Sequence, residues 1–164
     1  MTKFTEYDEV EALASWSPWS SFAEAARTAP HSPGVYLLRL PQSQEIVYVG
    51  MAGERKGQGL RGRMAIYRSG KGAASGFGEA AFDRALADEV FVSGQLNRLQ
   101  AGEVLRAKQW AKDAIAHFSP EIRWTETADG AAALQLEKRV GILLHPHGLW
   151  NRLPLLVNAS LEEA

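Results

Sequence analysis

Residues 34 to 50 read Gly34-Val35-Tyr36-Leu37-Leu38-Arg39-Leu40-Pro41-Gln42-Ser43-Gln44-Glu45-Ile46-Val47-Tyr48-Val49-Gly50. Two apolar runs rich in β-branched and aromatic residues flank the polar segment 41–44, and this pattern predicts a β-hairpin. If the loop holds an odd number of residues, Tyr36 lies opposite Tyr48 and Arg39 lies opposite Glu45. The opposite charges of the second pair favour this register.

Side chains alternate between the two faces of a strand, so the register also predicts which residues lie together. The face that carries the two phenols is expected to contain Tyr36, Leu38, Leu40, Ile46 and Tyr48. The opposite face is expected to contain Val35, Leu37, Val47 and Val49. A strand tyrosine is commonly half-buried with its hydroxyl hydrogen-bonded, so the hairpin alone favours a structural role for both phenols.

A basic segment follows the hairpin. It contains six basic residues and no acidic one, namely Arg55, Lys56, Arg61, Arg63, Arg68 and Lys71. Because the whole chain has a net charge of −1, this local concentration of charge suits a substrate whose phosphates enter one cleft. A solvated basic helix face explains the charge pattern equally well.

The composition excludes several classes of protein. With 164 residues, of which 46% are hydrophobic and 23% charged, the chain is long enough for one folded domain with a core. It has no cysteine, which excludes disulfide frameworks, thiolate metal sites and cysteine nucleophiles. No apolar stretch reaches the length of a membrane span and the first residues lack a signal-peptide pattern, so we expect a cytoplasmic protein without a membrane partner.

The rest of the chain predicts an α+β fold, a small three-stranded antiparallel sheet flanked by helices. Ser17 and Pro18 are typical of a helix start. Val104, Ala107 and Ala111 recur at helical spacing. The predicted helices are 8–15, 17–28, 59–67, 79–87, 101–118 and 130–144. Residues 121–125 are predicted as the third strand and the glycine-rich segment 69–78 as a mobile loop.

The order of the motifs resembles the GIY-YIG nuclease superfamily. That family has a Gly-Ile-Tyr-like strand, a Tyr-Ile-Gly-like strand, a helix with the pattern Leu-x-x-Arg-x-x-x-Tyr, a later helix with Glu, and then Asn. This chain has Gly-Val-Tyr and Tyr-Val-Gly, followed by Leu60, Arg63 and Tyr67, and later by Glu137 and Asn151. Fifteen residues separate Tyr48 from Arg63, more than is usual, and we interpret 54–59 as a loop insertion.

The resemblance covers residues 33–154 and implies a single domain. Residues 1–32 would be an N-terminal helical extension and 155–164 a C-terminal tail. The implied activity is metal-dependent endonuclease hydrolysis of phosphodiester bonds in DNA, with RNA not excluded. The implied catalytic residues are Tyr36, Tyr48, Arg63, Tyr67, Glu137 and Asn151. Contacts to the nucleic acid would come from Arg55, Lys56, Arg61, Arg68 and Lys71.

The resemblance also implies individual roles. Tyr36 would position or deprotonate the attacking water, and Tyr48 would hydrogen-bond that water or a phosphate oxygen. Arg63 would bind the phosphate, and Asn151 would hold the phosphate or the loop near the metal. Glu137 would bind one Mg²⁺ or Mn²⁺.

These roles agree with the chemistry of the residue types. Arg63 offers a planar set of donors for a phosphate and shares a helix face with Tyr67, four residues later. One carboxylate can anchor Mg²⁺ if phosphate oxygens and waters complete its coordination. Glu137 lies at the border of an apolar helix stripe, where an ordinary exposed glutamate would also lie. A free phenol has a pKa near 10 and is a poor base unless cations lower that pKa.

Other interpretations stay open. His145 and His147 could bind a metal together only in an extended segment with further ligands, which favours an ordinary loop. The chain could be a catalytically silent nucleic-acid-binding module of the same fold, or a small protein-interaction domain. Within the nuclease interpretation, a role in restriction, repair, a mobile element or a toxin is equally open, as are sequence specificity and oligomeric state.

Overall fold

The computed structural model describes residues 7–74 and 76–152. The described residues form an α+β fold with one antiparallel sheet of four strands: β1 (Ser20–Ser21), β2 (Gly34–Arg39), β3 (Ile46–Ala52) and β4 (Glu121–Glu126). They also form seven helices: α1 (Asp8–Glu11), α2 (Phe22–Thr28), α3 (Gly59–Arg68), α4 (Gly76–Leu86), α5 (Glu89–Gln100), α6 (Ala107–Phe118) and α7 (Gly130–Leu144). Short 3₁₀ turns occur at Arg55–Gly57, Lys71–Ala74 and His145–His147. The α+β class is confirmed, and the sheet has one strand more than predicted.

The strand order is β1-β4-β2-β3, so β2 lies inside the sheet and β3 at its edge. The additional strand β1 pairs with the first two residues of β4. The sequence did not predict it because a two-residue strand carries no alternation of its own. Within the described residues no helix is long and apolar enough to cross a membrane.

The predicted hairpin is present, but its predicted register is wrong. Tyr36 lies opposite Gly50, and Leu38 lies opposite Tyr48. A β-bulge follows Leu38, because Arg39 pairs with Ile46 and leaves Val47 as the additional residue. Tyr36 and Tyr48 are therefore diagonal neighbours on one face.

The bulge also exchanges two side chains between the faces. Val47 packs in the same cluster as Tyr36 and Tyr48, whereas Ile46 packs in the cluster on the opposite face. The prediction had the reverse. A strict period of two cannot be carried through an inserted residue, since each residue before the insertion changes face.

Arg39 does not pair with Glu45 as predicted. Its Nε donates to a carboxylate oxygen of Glu121 in β4 at 2.5 Å, and its guanidinium lies 4.3 Å from the ring centroid of Trp19. The Glu45 carboxylate instead accepts a hydrogen bond from the Ser43 hydroxyl. The acidic partner of Arg39 comes from β4, which the local sequence could not reveal.

The helix predicted at 17–28 begins later, at Phe22. Ser21 is its N-cap, and the Ser21 hydroxyl accepts a hydrogen bond from the Glu24 N–H at 3.2 Å. Ser17, the predicted cap, instead bonds to β4: the Ser17 N–H donates to the carbonyl of Trp124, and the Ser17 hydroxyl accepts from the Trp124 N–H. The first helix is also shorter than predicted, since α1 ends at residue 11.

Between the hairpin and the last helix, the agreement is partial. The segment predicted as a mobile loop at 69–78 contains a 3₁₀ turn and the first turn of α4. The predicted helix 101–118 begins at Ala107, and Val104 is 89% exposed rather than part of its apolar stripe. The sequence did not predict α5, in which four of the five apolar side chains are exposed and only Phe91 is buried. The predicted helix 130–144 is confirmed at both ends.

The two faces of the sheet have different coverings. We name the face of Tyr36 and Tyr48 the phenol face; it is covered by α2, α3, α4 and α6. The aliphatic face, which carries Val35, Leu37 and Val49, is covered by α1 and α7. Residues 1–6 and the predicted tail 155–164 lie outside the described residues.

Candidate functional site

A cavity of about 710 Å³ opens at the β3 edge of the sheet, between α4 and α7. We name it the edge cavity. Its wall is formed by Tyr48, Gly76, Glu79, Ala80, Asp83, Arg84, Glu137, Trp150, Asn151 and Arg152. It therefore contains three of the six predicted catalytic residues.

The three phenols of the predicted site form one contiguous cluster. Tyr48 lies on the wall of the edge cavity, and its ring stacks on Tyr36 with centroids 6.3 Å apart. Behind it, the hydroxyl oxygens of Tyr36 and Tyr67 are 2.7 Å apart, within hydrogen-bond distance. The Tyr67 hydroxyl also accepts a hydrogen bond from the Phe77 N–H at 3.1 Å. The first turn of α4 thus fixes Tyr67, and Tyr67 in turn fixes Tyr36.

Two glycines make room for this cluster. A Cβ atom on Gly50 would lie 2.3 Å from the Tyr36 hydroxyl oxygen, because the Tyr36 ring covers its cross-strand partner. A Cβ on Gly76, whose φ is +57°, would lie 2.5 Å from the Tyr67 hydroxyl and 3.4 Å from that of Tyr48. Gly50, the last residue of the Tyr-Val-Gly tripeptide, is therefore required by the packing of Tyr36.

The environment of Tyr36 and Tyr48 keeps these two phenols protonated. Burial is the main cause that raises the pKa of Tyr36, and the neighbouring Tyr67 and Tyr48 raise it further. The pKa of Tyr48 is also raised, again chiefly by burial, while the charge of Arg63 lowers the pKa of both phenols. Tyr36 and Tyr48 therefore act as hydrogen-bond donors at neutral pH rather than as phenolates.

Glu137 lies on the wall of the edge cavity with its carboxylate largely removed from water. Burial raises its pKa to about 7, against opposing effects of Arg63 and Lys138. It forms no hydrogen bond or ion pair with another described residue. The charges of Arg63 and Lys138 offset the burial of this carboxylate only in part, and a bound cation would offset it further.

Arg63 lies close enough to Tyr36, Tyr48 and Glu137 for its charge to act on all three, although it does not line the edge cavity. Its Nε is buried and has no acceptor among the described residues, and its guanidinium carbon is 6.0 Å from the ring centroid of Tyr67. Its charge affects the pKa values of Tyr36, Tyr48 and Glu137 alike. A buried donor without a partner is unusual, and an oxyanion in the site would satisfy it.

Asn151 has a structural contact in addition to its place on the cavity wall. Its side-chain amide donates to the Val49 carbonyl at 2.7 Å, and its side-chain oxygen accepts from the Val49 N–H at 3.1 Å. The N–H of Trp150 donates to the Val47 carbonyl. These bonds attach the segment after α7 to the edge of β3 and close one side of the cavity.

The edge cavity has more acidic than basic side chains. Its wall contains three acidic side chains, Glu79, Asp83 and Glu137, and two basic ones, Arg84 and Arg152. Arg152 pairs with Glu79, and the guanidinium of Arg84 lies 4.6 Å from the centroid of the Trp150 ring.

The sequence analysis did not identify these additional cavity residues. Glu79 and Asp83 are four residues apart in a predicted helix, a spacing that places them on one face and could have indicated an acidic surface. The contributions of Arg84, Trp150 and Arg152 depend on how α4 packs against the segment after α7, for which the sequence gives no signal.

The predicted nucleic-acid contacts do not line the edge cavity. Arg55 and Lys56 are exposed in a 3₁₀ turn, and Arg68 and Lys71 are exposed near the end of α3. The Nε of Arg61 donates to the Ala29 carbonyl at 2.7 Å. The basic segment is thus spread around α3 and does not fill one cleft.

The predicted insertion at 54–59 has a structural attachment of its own. The Glu54 carboxylate accepts a hydrogen bond from the Gly130 N–H at 2.7 Å, at the first residue of α7. The loop therefore connects the start of α3 to the helix that carries Glu137.

The metal prediction rests on one carboxylate. Within residues 7–74 and 76–152 no three His, Asp or Glu side chains form a cluster that could hold an ion. His145 and His147 lie in a 3₁₀ turn rather than in an extended segment. Glu137 alone still fits Mg²⁺, which usually keeps several waters and binds one or two carboxylates together with substrate phosphates. Comparison of the chain with protein-family models, curated proteins and solved structures finds no match.

Proposed function

We propose that this chain is a metal-dependent endonuclease of the GIY-YIG type that hydrolyses phosphodiester bonds in DNA. One observation carries the proposal: Tyr48 and Glu137 share the wall of one cavity, with the unpartnered Nε of Arg63 and the hydrogen-bonded Tyr36–Tyr67 pair beside it. The resemblance of the motif order supports it independently. DNA as the partner and the cytoplasm as the location are predictions from the sequence.

Arg63 is proposed to bind a non-bridging oxygen of the scissile phosphate. A guanidinium carries a permanent charge and several N–H donors, and the Nε–H of Arg63 has no acceptor among the described residues, so it is free to donate to a phosphate oxygen that reaches it. Removing one such preorganised donor typically lowers the rate by roughly 100- to 1000-fold.

The phenols are proposed to have different roles. Tyr48 borders the cavity, so its hydroxyl can donate a hydrogen bond to the attacking water or to a phosphate oxygen. Tyr36 is only 1% exposed and bonds to Tyr67, which favours a positioning role over the general-base role that the resemblance allows. Its raised pKa also argues against proton abstraction by Tyr36.

Glu137 is proposed to hold one Mg²⁺ or Mn²⁺. When bound, such an ion would polarise the phosphate and lower the pKa of a coordinated water. The acidic surplus of the cavity wall supports this assignment, because three carboxylates beside two arginines would otherwise repel a phosphate.

The proposal is tested by incubating the protein with plasmid, single-stranded and branched DNA, with Mg²⁺, with Mn²⁺ and with EDTA. We expect metal-dependent cleavage that Glu137→Gln abolishes. Glu89→Gln, an exposed carboxylate at the start of α5, is the matched control and should leave the rate unchanged. Circular dichroism verifies that both variants are folded.

Arg63→Ala should lower the cleavage rate by roughly 100- to 1000-fold. Its matched control is Arg139→Ala, an exposed arginine of α7. Cleavage that survives Glu137→Gln, or that needs no metal, would overturn the site assignment. DNA binding without cleavage of any substrate would favour the catalytically silent module.

A further inference from the structure

A second cavity, of about 370 Å³, lies between α2, α3 and α6. Its apolar surface comes from Phe22, Tyr67 and Ile115, and it also includes Arg68 and Lys112. None of the described residues that line it is acidic. Neither the Arg68 nor the Lys112 side chain forms a hydrogen bond or an ion pair with another described residue.

This combination selects for one kind of ligand. Two unpaired cations beside a cavity without carboxylates attract an anion. The ring of Phe22 is only partly buried, so an apolar aromatic surface is available to a flat ligand ring. A volume of about 370 Å³ is at the small end of the range of ligand pockets, which suits a single nucleotide.

We propose that the second cavity binds one nucleotide, with its phosphate at Arg68 and Lys112 and its base against the partly exposed ring of Phe22. The nucleotide can be free or can be one unit of a DNA strand. Only the strand form rests on the proposed endonuclease function. Tyr67 lines this cavity and also bonds to Tyr36, so the second cavity borders the phenol cluster directly.

The test is an NMR titration of the folded protein with dTMP, with inorganic phosphate and with thymidine as separate ligands. We expect dTMP to shift amide signals around residues 67–68 and 112–119, and inorganic phosphate and thymidine to bind much more weakly. Lys112→Glu should weaken dTMP binding about tenfold or more, as expected for the loss of a charged hydrogen bond. Ala116→Trp, at an exposed position on the cavity wall, should block it sterically.

The matched control is Lys108→Glu, which makes the same charge change at an exposed lysine of α6 that does not line the cavity. It should bind dTMP like the parent protein. The proposal is overturned if dTMP does not bind, if its binding survives both cavity variants, or if inorganic phosphate binds as well as dTMP does.

A competition experiment distinguishes the two sources of the nucleotide. If dTMP and Ala116→Trp each reduce affinity for a short labelled single strand, the site takes a unit of the strand; if neither does, it takes a free nucleotide. Both outcomes leave the nucleotide site in place. If the protein binds dTMP but cleaves no DNA, the nucleotide site is retained and the nuclease proposal is rejected. If it cleaves DNA but does not bind dTMP, the nuclease proposal is retained and the nucleotide site is rejected.

Discussion

The phenol face and the aliphatic face of the sheet are equally buried, but they differ in what burial demands of their side chains. On the aliphatic face, Leu37 and Val49 need only matching shapes from α1 and α7. On the phenol face, the hydroxyls of Tyr36 and Tyr67 need hydrogen-bond partners, and Gly50 must leave space for a ring. The aliphatic face therefore stabilises the fold, whereas the phenol face also fixes the geometry of polar groups next to a cavity.

The largest expected effect tests the aliphatic face. Leu37 is fully buried, so Leu37→Ala should lower the free energy of unfolding by about 2 to 5 kcal/mol. The cleavage rate per folded molecule should not change, because Leu37 faces away from the phenols. Chemical denaturation and initial rates measure the two quantities. A rate that falls more than the folded fraction would show that the faces are not independent.

A smaller loss of stability is expected at Gly50, where the phenol face has no space for an additional atom. Gly50→Ala should cost about 1 to 3 kcal/mol, because its Cβ would lie 2.3 Å from the Tyr36 hydroxyl in a packed core. Here the cleavage rate should fall as well, since the phenols must move. The matched control is Gly94→Ala in α5, where no atom of the described residues beyond the helix's own backbone and the adjacent residues lies within 4 Å of the new Cβ and alanine favours the helix. Equal melting temperatures for the two variants would refute the packing argument.

In metal-free buffer, the contribution of Glu137 to the free energy of unfolding should depend on pH. Its pKa is raised from 4.5 to about 7 on folding, so the folded state binds more protons than the unfolded state between these values. Its contribution to stability is therefore present below pH 4.5 and is lost as the pH rises through 7.

Glu137→Gln should consequently stabilise the protein at pH 8 by about 1 to 2 kcal/mol and have little effect at pH 4. Thermal denaturation at both pH values measures this difference. Adding Mg²⁺ at pH 8 should raise the melting temperature of the parent protein and not that of the variant. A variant that is less stable than the parent at pH 8 would show that the charges of Arg63 and Lys138 already compensate the carboxylate in full.

The smallest expected effect is the difference in stability loss between removing the Tyr36 hydroxyl and removing the Tyr67 hydroxyl of the hydrogen-bonded pair. Tyr36→Phe should cost about 1 kcal/mol, because Tyr67 still accepts from the Phe77 N–H. Tyr67→Phe should cost about 1 kcal/mol more, since it leaves both the Phe77 N–H and the Tyr36 hydroxyl without that partner. Paired denaturation curves measure the difference, and equal losses would mean that water replaces the missing hydroxyl.

Features of the fold that depend on neighbouring residues in the chain could be predicted from the sequence, and features that depend on distant residues could not. The last helix was predicted at both ends because an apolar stripe runs along it, and the structure shows that Asp129 caps its start. The hairpin was predicted because β-branched runs flank a polar segment, but its bulge was not. The start of α2 was wrong because Ser17 bonds to β4, which is more than a hundred residues away in the chain.

The candidate site divides in the same way. The motif order indicated Tyr48, Glu137 and Asn151, and these three residues do border one cavity. Glu79 and the arginines of that cavity were not indicated, because the packing of α4 against the segment after α7 decides their place. The basic residues of α3 were expected in one cleft, yet their directions around a helix separate them.

The sequence by itself determined the α+β class, the hairpin, the long final helix and the residue types that could perform phosphodiester chemistry. Local propensity and the alternation of apolar side chains are sufficient for these features. Only the tertiary structure decided the bulged register, the Arg39–Glu121 pair, the bonding of Tyr36 to Tyr67 and the acidic surplus of the edge cavity. Each of these depends on contacts between residues distant in the chain, whose free energy is gained only when the whole domain packs.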